Sequence, residues 1–312
     1  MLRATEYDRG VAPLALIVAD PGSGAADAAE AIILAGGTFR GEADWRAACA
    51  GRFDHPGAIE LIAVEAQHVS DGMLADALPR ISGAIERTSA RAVVALQPEQ
   101  IDIVAAAMLG PRVELLCAPT IADRTAAFAV ALAPFASSRV HDPAQDSESA
   151  QLRQLNEEVA RISRVLARLT SEEKRTSGVA DRPLGYGAPP ATAPAASTIT
   201  AAEVRKLIRA RRMRNQYLAE DLFEDPAWDM LLDLYAADLE SAQVSVSSLC
   251  IAAAVAPTTA LRWIARMTEA GLFERHPDPF DRRRAFLALS DGMRAKLERY
   301  FAALRQSGLG VI

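Results

Sequence analysis

The chain has 312 residues, half of them hydrophobic, with 34 Lys and Arg against 40 Asp and Glu and a net charge of −6. That length suffices for two compact domains with separate cores. No run of 18 apolar residues occurs, and the first residues, MLRATEYDRG, lack a signal-peptide pattern. We therefore expect a soluble, cytoplasmic protein with no membrane partner.

The first part of the chain alternates short apolar runs with helical segments. The runs are short enough for strands buried on both faces of a parallel sheet. This alternation predicts a doubly wound, flavodoxin-like α/β domain over residues 1–140. The pattern places strands near 14–19, 37–40, 59–64, 91–96 and 113–117, and helices near 25–34, 44–50, 71–87, 98–109 and 121–132.

In size and order of elements, this region resembles a response-regulator receiver domain. The resemblance implies acids after the first strand, a phosphorylatable Asp after the third, and a Lys before Pro after the fifth. Here Asp20 is the one clear acid, Glu65 stands at the phospho-acceptor position, and Ala118 precedes Pro119. We therefore predict a pseudo-receiver without aspartyl phosphorylation, whose partner could be a protein or a small molecule.

An enzyme is the alternative for this domain, because the turn Asp20–Gly24 has glycines that could cradle a phosphate. The turn lacks the third glycine of a dinucleotide fingerprint and the Lys of a P-loop, which favours a plain βα connection. The cysteines and histidines do not have metal-ligand spacing. We predict no enzymatic activity, no metal and no cofactor.

Residues 146–173 change to a heptad pattern. Apolar residues follow at intervals of 3, 4, 3, 4 and 3, which is typical of a coiled coil and predicts a homodimer. A helix lying on the α/β domain is the alternative, although such a helix usually has a wider apolar stripe. Residues 174–199 are rich in Pro, Gly and Ala and predict a flexible linker. The predicted dimerisation residues are Leu152, Leu155, Val159, Ile162, Leu166 and Leu169.

The remaining residues, 200–312, are close to neutral, with 16 Lys and Arg against 15 Asp and Glu. The excess acid therefore lies in the first 199 residues and argues little against a nucleic-acid partner here. A capping box, Thr200 to Glu203, opens a helix that carries six basic residues. Those cations could pair with acids or contact phosphates, and we favour the structural role.

A second helix is predicted from Thr258 to Ala270, with Pro257 near its first position and Gly271 just past its last turn, residues suited to a helix start and a C-cap. A step of 100° per residue separates an apolar face from one that could contact bases or phosphates. When this helix is considered by itself, a polar face that is simply exposed to solvent explains the pattern equally well. The predicted DNA contacts of this helix are Pro257, Thr258, Thr259, Arg262, Trp263 and Arg266.

The loop 276–284 places three consecutive arginines, Arg282, Arg283 and Arg284, between two segments with a strand-like pattern. A guanidinium at the tip of such a loop can enter the minor groove or neutralise phosphates. Helix, turn, helix, strand, basic loop and strand follow each other in the order of a winged helix-turn-helix.

This stretch resembles the MarR family of bacterial transcription regulators. Asp281-Arg282-Arg283 is similar to the D-R-R of that family's wing, and Gly271–Arg275 to its G-L-V-x-R. The segment Leu289–Gly292 is similar to its L-T-x-x-G but is one residue short. The resemblance covers about residues 226–305.

The resemblance implies a dimeric α+β winged-helix regulator that binds double-stranded DNA at a pseudo-palindromic operator. It implies that Asp281 braces Arg283 and that Arg282 or Arg283 reaches the groove, while Arg284 occupies a position where the family does not require a cation. The alternative is a protein-interaction adaptor whose winged domain binds a protein partner.

Overall fold

The computed structural model describes residues 13–51, 59–133, 199–218 and 224–307. The described residues 13–51, 59–132, 199–218 and 224–307 belong to one compact unit. The predicted dimerisation helix and nearly all of the predicted linker lie outside the described residues, so both remain predictions.

A five-stranded parallel sheet organises the N-terminal region. Its order is β2-β1-β3-β4-β5, the order of flavodoxin-like sheets, so β2 and β5 are the edge strands. All five residues of β3 are buried, as expected for a strand covered on both faces. The strands are β1 (Leu14–Val18), β2 (Thr38–Ala43), β3 (Leu61–Glu65), β4 (Arg91–Leu96) and β5 (Val113–Cys117).

Helices cover both faces of this sheet. The first and last pack on one face around Ala28 and Phe128, while the other three cover the opposite face. Each expected strand and helix is present with bounds close to those predicted, because the apolar runs are strong and the intervening segments are short. The helices are α1 (Ser23–Leu34), α2 (Trp45–Cys49), α3 (Asp71–Thr88), α4 (Ile101–Met108) and α5 (Ile121–Leu132).

The C-terminal region contains a second, antiparallel sheet of order β6-β8-β7 surrounded by helices. Phe273, Leu287 and Leu289 turn their side chains from this sheet into the apolar core. The elements are α6 (Ala201–Met213), α7 (Pro226–Leu239), β6 (Val244–Ser245), α8 (Val246–Ala252), α9 (Pro257–Glu269), β7 (Phe273–Pro277), β8 (Ala285–Leu289) and α10 (Asp291–Gln306).

The basic helix α6 is tied to neighbouring helices by ion pairs. Thr200 and Glu203 form the predicted capping box at its start. Arg205 pairs with Asp233 on α7, and Arg211 Nε lies 2.8 Å from a carboxylate oxygen of Asp229 on the same helix. These contacts support the structural role that we favour for this helix.

The two regions share one continuous buried cluster. It runs from the face of the parallel sheet covered by α2, α3 and α4 into the core beneath α7, α8 and α9, and includes Met108 and Leu115 from the first region and Leu249 and Leu261 from the second. Burial of apolar surface therefore stabilises their contact.

Among the described helices, none is long and apolar enough by itself to cross a bilayer. The bent pair α8 and α9 meets that requirement only when the two are taken together. Leu249, Leu261 and Ile264 of this pair are buried within the core.

Candidate nucleic-acid interface

Helices α8 and α9 form a helix-turn-helix. Four residues, 253–256, join them, and their axes differ by 111°, within the range of this motif. The Ser245 side chain accepts a hydrogen bond from the Ser248 amide at the start of α8. Pro257 occupies the first turn of α9, where its missing N–H has no cost, and Gly271 follows the helix with φ 67°.

The two faces of α9 differ as the sequence predicts. Its buried residues are Ala260, Leu261, Ile264 and Met267, which pack into the core. On the other side, Thr259 and Trp263 are half-buried. The guanidinium carbon of Arg266 lies 5.4 Å from the centre of the Trp263 ring, a cation–π distance that orients both side chains.

The loop between β7 and β8 is a compact wing. The Asp278 carboxylate accepts hydrogen bonds from the amides of Phe280 at 2.8 Å and Asp281 at 3.3 Å. The amide of Arg284 donates to the carbonyl of Asp281 at 3.0 Å. These bonds fold the loop back on itself, so that its arginines lie at an exposed turn.

Asp281 holds Arg283 within this wing. Its carboxylate accepts from the amide of Arg283 at 3.0 Å and from Nε at 3.1 Å. These hydrogen bonds hold the pKa of Asp281 below its usual value. Arg284 Nε lies 4.0 Å from the same carboxylate, while Arg282 is exposed and forms no ion pair with a described residue.

Phe280 at the tip of the wing is a residue that the sequence analysis did not single out. Its side chain is 97% exposed, beside the three arginines. An exposed aromatic ring at a basic loop can act as an apolar wedge against base pairs. The signal in the sequence was its position between Pro279 and Asp281, inside the basic loop.

The N-terminal turn of α9 lies on the edge strand β5. The amide of Cys117 donates to Thr258 Oγ1 at 2.9 Å. One turn further along the helix, Arg262 Nε donates to Glu114 Oε1 at 2.8 Å. Two of the residues predicted to bind DNA therefore contact the α/β region in this structure.

Two further contacts hold the winged region against α4. Asp102 accepts from the amide of Ser247 at 2.9 Å and from its hydroxyl at 2.7 Å. Arg275 donates from Nη1 to the Ala105 carbonyl at 2.9 Å and to that of Ala106 at 3.3 Å. Desolvation lowers the pKa of Arg275. A cation interacts favourably with the last carbonyls of a helix, and the Ala105 carbonyl of α4 also accepts from the Leu109 amide at 3.2 Å.

Glu65, which the predicted receiver resemblance places at the phospho-acceptor position, forms a bidentate ion pair with Arg124 from α5. Nε and Nη2 of Arg124 lie 3.0 and 2.8 Å from the two carboxylate oxygens, and the exposed fractions are 3% for Arg124 and 5% for Glu65. Burial raises the pKa of Glu65, and the hydrogen bonds from Arg124 oppose that rise. A guanidinium thus neutralises the carboxylate.

Asp20, the one clear acid after β1, accepts a hydrogen bond from the amide of Trp45 at 3.3 Å. It lines a cavity of about 220 Å³ together with Asp27 and Glu65. Glu65 is paired with Arg124, and the remaining carboxylates, those of Asp20 and Asp27, make the cavity unfavourable for an anion such as a phosphoryl group.

No protein-family model and no curated protein matches the chain. Among solved structures, it is similar to BpsR of Bordetella bronchiseptica, whose DNA binding is regulated by 6-hydroxynicotinic acid, at 18% identity over 35% of this chain and 74% of the other, with a TM-score of 0.23. It is also similar to the transcriptional regulator Tm0710 of Thermotoga maritima, at 21% identity over 34% and 78%, with a TM-score of 0.21.

A further similar structure is the heme sensor PefR of Streptococcus agalactiae in complex with heme, at 17% identity over 33% of this chain and 69% of the other, with a TM-score of 0.23. At TM-scores this low, the similarity to these structures supports no conclusion about this protein. The winged helix-turn-helix assignment rests on the order, angle and caps of the elements described above.

Proposed function

We propose that this protein is a sequence-specific DNA-binding transcription regulator in which α9 reads the major groove and the wing contacts the minor groove. The observation that carries the proposal is the wing, where Asp281 braces Arg283 at the tip of a tight β7–β8 loop, beside a helix-turn-helix. Braced arginines on an exposed loop suit the narrow, electronegative minor groove. The residues proposed for DNA contact are Pro257, Thr258, Thr259, Arg262, Trp263, Arg266, Arg282, Arg283 and Arg284.

The regulator is proposed to act as a dimer on a pseudo-palindromic site. The support is the heptad pattern of residues 152–169, since a two-fold dimer places two recognition helices about one helical turn of DNA apart. Aspartyl phosphorylation has no part in the proposal, because Glu65 is already paired with Arg124.

In this structure, part of the polar face of α9 is covered by β5. We call this the closed arrangement. The major groove is about 12 Å wide, and an α-helix with its side chains is about 10–12 Å across. A helix seated there needs its contacting face free, whereas Thr258 and Arg262 are bonded to Cys117 and Glu114. We infer that the α/β region must separate from α9 before DNA binds.

A second candidate function is a protein-interaction adaptor, and the same contact favours it. The polar face of α9 binds a protein surface in this structure, through a hydrogen bond to a strand edge and an ion pair. An external partner with a similar strand edge and acidic side chain would bind this face in the same way. The first 199 residues have more acidic than basic side chains, which also suits an adaptor.

Selection from random double-stranded DNA separates the two functions. The full-length protein is used beside a Glu114→Gln, Asp102→Asn double variant, which weakens the closed contact without altering a proposed DNA-binding residue. The regulator predicts an enriched inverted repeat with half-sites about 10 bp apart. No enriched motif from either protein would contradict DNA recognition and favour the adaptor.

A further inference from the structure

A cavity lies where the recognition helix α9 meets the amino-terminal ends of β4 and β5. It has a volume of about 400 Å³, within the range of small-molecule sites, and it lies between two structural regions, where such sites are common. One wall belongs to the α/β region and the other to α9.

The polar lining of this cavity is mostly cationic. Arg91 and Arg112 come from the α/β wall, and Arg262 and Arg266 from α9, against the two carboxylates of Glu114 and Glu269. Arg262 and Glu114 form an ion pair and cancel each other. The remaining lining then has three arginines against one carboxylate, that of Glu269, which is an excess of positive charge. Within the described residues, neither Arg112 nor Arg266 forms an ion pair. The rest of the lining includes apolar side chains, among them Leu115, Val130, Leu261 and Ala265.

The cations on the two walls are held in place by other contacts. Arg91 Nη1 donates to the carbonyls of Val130 at 2.8 Å and Ala131 at 3.2 Å, at the end of α5. Arg266 lies against the Trp263 ring. A ligand would therefore meet guanidiniums that have already lost part of their rotational freedom, which lowers the entropic cost of binding.

We propose that this cavity binds a small organic anion, with its carboxylate or phosphate on the arginines and its apolar part against the aliphatic lining. The effect on DNA rests on the proposed function. A ligand that touches both walls binds only while the two walls are together, so it stabilises the closed arrangement. Occupation of the cavity therefore weakens DNA binding.

This linkage has a defined form. If the ligand binds only the closed arrangement and DNA only the open one, the ligand acts as a competitor without sharing a site with DNA. The apparent dissociation constant for DNA then rises in proportion to ligand concentration, about tenfold when the ligand is at ten times its own dissociation constant. By reciprocity, DNA weakens ligand binding by the same factor.

The test titrates the full-length protein with four probes: benzoate, 1-naphthoate, adenosine 5′-monophosphate and inorganic phosphate. Benzamide, 1-naphthamide and adenosine are the uncharged controls. DNA affinity is measured by fluorescence anisotropy at constant ionic strength, and thermal stability is measured without DNA. At least one organic anion is expected to raise the DNA dissociation constant and the melting temperature, while its uncharged counterpart does neither.

Two variants assign the effect to the cavity. Arg112→Gln removes a cation from the α/β wall, outside the proposed DNA surface, and is expected to abolish the response to the anion while DNA affinity without probe stays unchanged. Arg46→Gln removes an exposed cation from α2 and is expected to keep the full response.

Equal responses of Arg112→Gln and the wild type, or no saturable response to any probe below about 10 mM, overturn the proposed site. The thermal readout does not require DNA. A probe that stabilises the wild type but not Arg112→Gln, in a protein that binds no DNA, would therefore overturn the proposed function and leave the anion site standing.

Discussion

Arg262 and Glu114, which are 148 positions apart in the chain, form an ion pair between α9 and the edge strand β5 of the parallel sheet. Arg262 is 56% exposed and Glu114 23% exposed, so solvent screens their attraction. A weak, screened pair suits a contact that opens and closes, as the proposed function requires. The same guanidinium is a proposed DNA contact, so the two states compete for one residue.

Loss of this pair from the α/β side should favour DNA binding. Glu114→Gln keeps the size of the side chain but removes its charge, and leaves every proposed DNA-binding residue intact. A screened pair contributes about 0.2–1 kcal/mol, so we expect DNA affinity to rise by up to about fivefold in fluorescence anisotropy.

The control for this change is Glu30→Gln. It removes the same charge from an exposed position on α1, which covers the face of the sheet opposite to α4. Equal gains from the two variants would point to overall charge rather than to the closed contact.

The wing prediction concerns Arg283→Ala. Loss of a cation that reaches phosphate or the minor groove should weaken binding across DNA sequences and lower the slope of log affinity against log salt by about one. Affinity measured at several salt concentrations checks both effects. Arg46→Ala, on α2, should leave the slope unchanged, and an unchanged slope for Arg283→Ala would contradict the wing assignment.

Thiol reactivity offers a further prediction. Burial raises the pKa of Cys250 to about 12, so at about pH 8 roughly one thiol in ten thousand is ionised. Cys250 should therefore resist iodoacetamide until the protein unfolds. Cys117 is half-buried, its pKa is raised by burial, and its amide bonds to Thr258 at the closed contact.

Saturating DNA should accelerate alkylation of Cys117, as measured by peptide mass spectrometry, because separation of α9 from β5 uncovers this strand. Cys49, at the end of α2, lies beside Met73 of α3 and is the internal control that should keep its rate. A Cys117 rate unaffected by bound DNA would argue that β5 stays covered.

The buried pair Glu65 and Arg124 predicts a stability effect. Arg124→Met leaves a buried carboxylate without its partner, which should cost about 3–5 kcal/mol in the free energy of unfolding measured by urea denaturation. The double variant with Glu65→Leu should regain most of this loss, because two apolar side chains then replace two buried charges. A double variant no more stable than Arg124→Met would contradict the importance of this pair.

The sequence predicts the elements well and the contacts between distant elements poorly. The runs that became β1, β3, β4 and β5 are apolar enough to be placed by inspection, whereas β2 (TFRGEA) has a weaker pattern and extends three residues beyond its predicted end. The capping box at Thr200 indicates the start of α6. Asp281 and Arg283 are two residues apart, so a local motif suffices to bring them together.

The contacts of Asp102, Glu114 and Arg275 across the closed interface have no local signal. Their partners lie 145 to 170 positions away, and a single acid or arginine on an exposed helix or strand is ordinary in any protein. The partner of Glu65 was missed for the same reason, since Arg124 lies within α5, 59 positions away. Tertiary packing alone determines these pairs.

Hydrogen exchange of the full-length protein, with and without its selected DNA site, tests the central claim most directly. The claim is that the α/β region covers the recognition helix and must leave it for DNA to bind. We predict that DNA slows exchange in residues 257–269 and speeds it in residues 113–118, where the Cys117 amide loses its bond to Thr258. Slower or unchanged exchange in residues 113–118 in the DNA complex would contradict the claim.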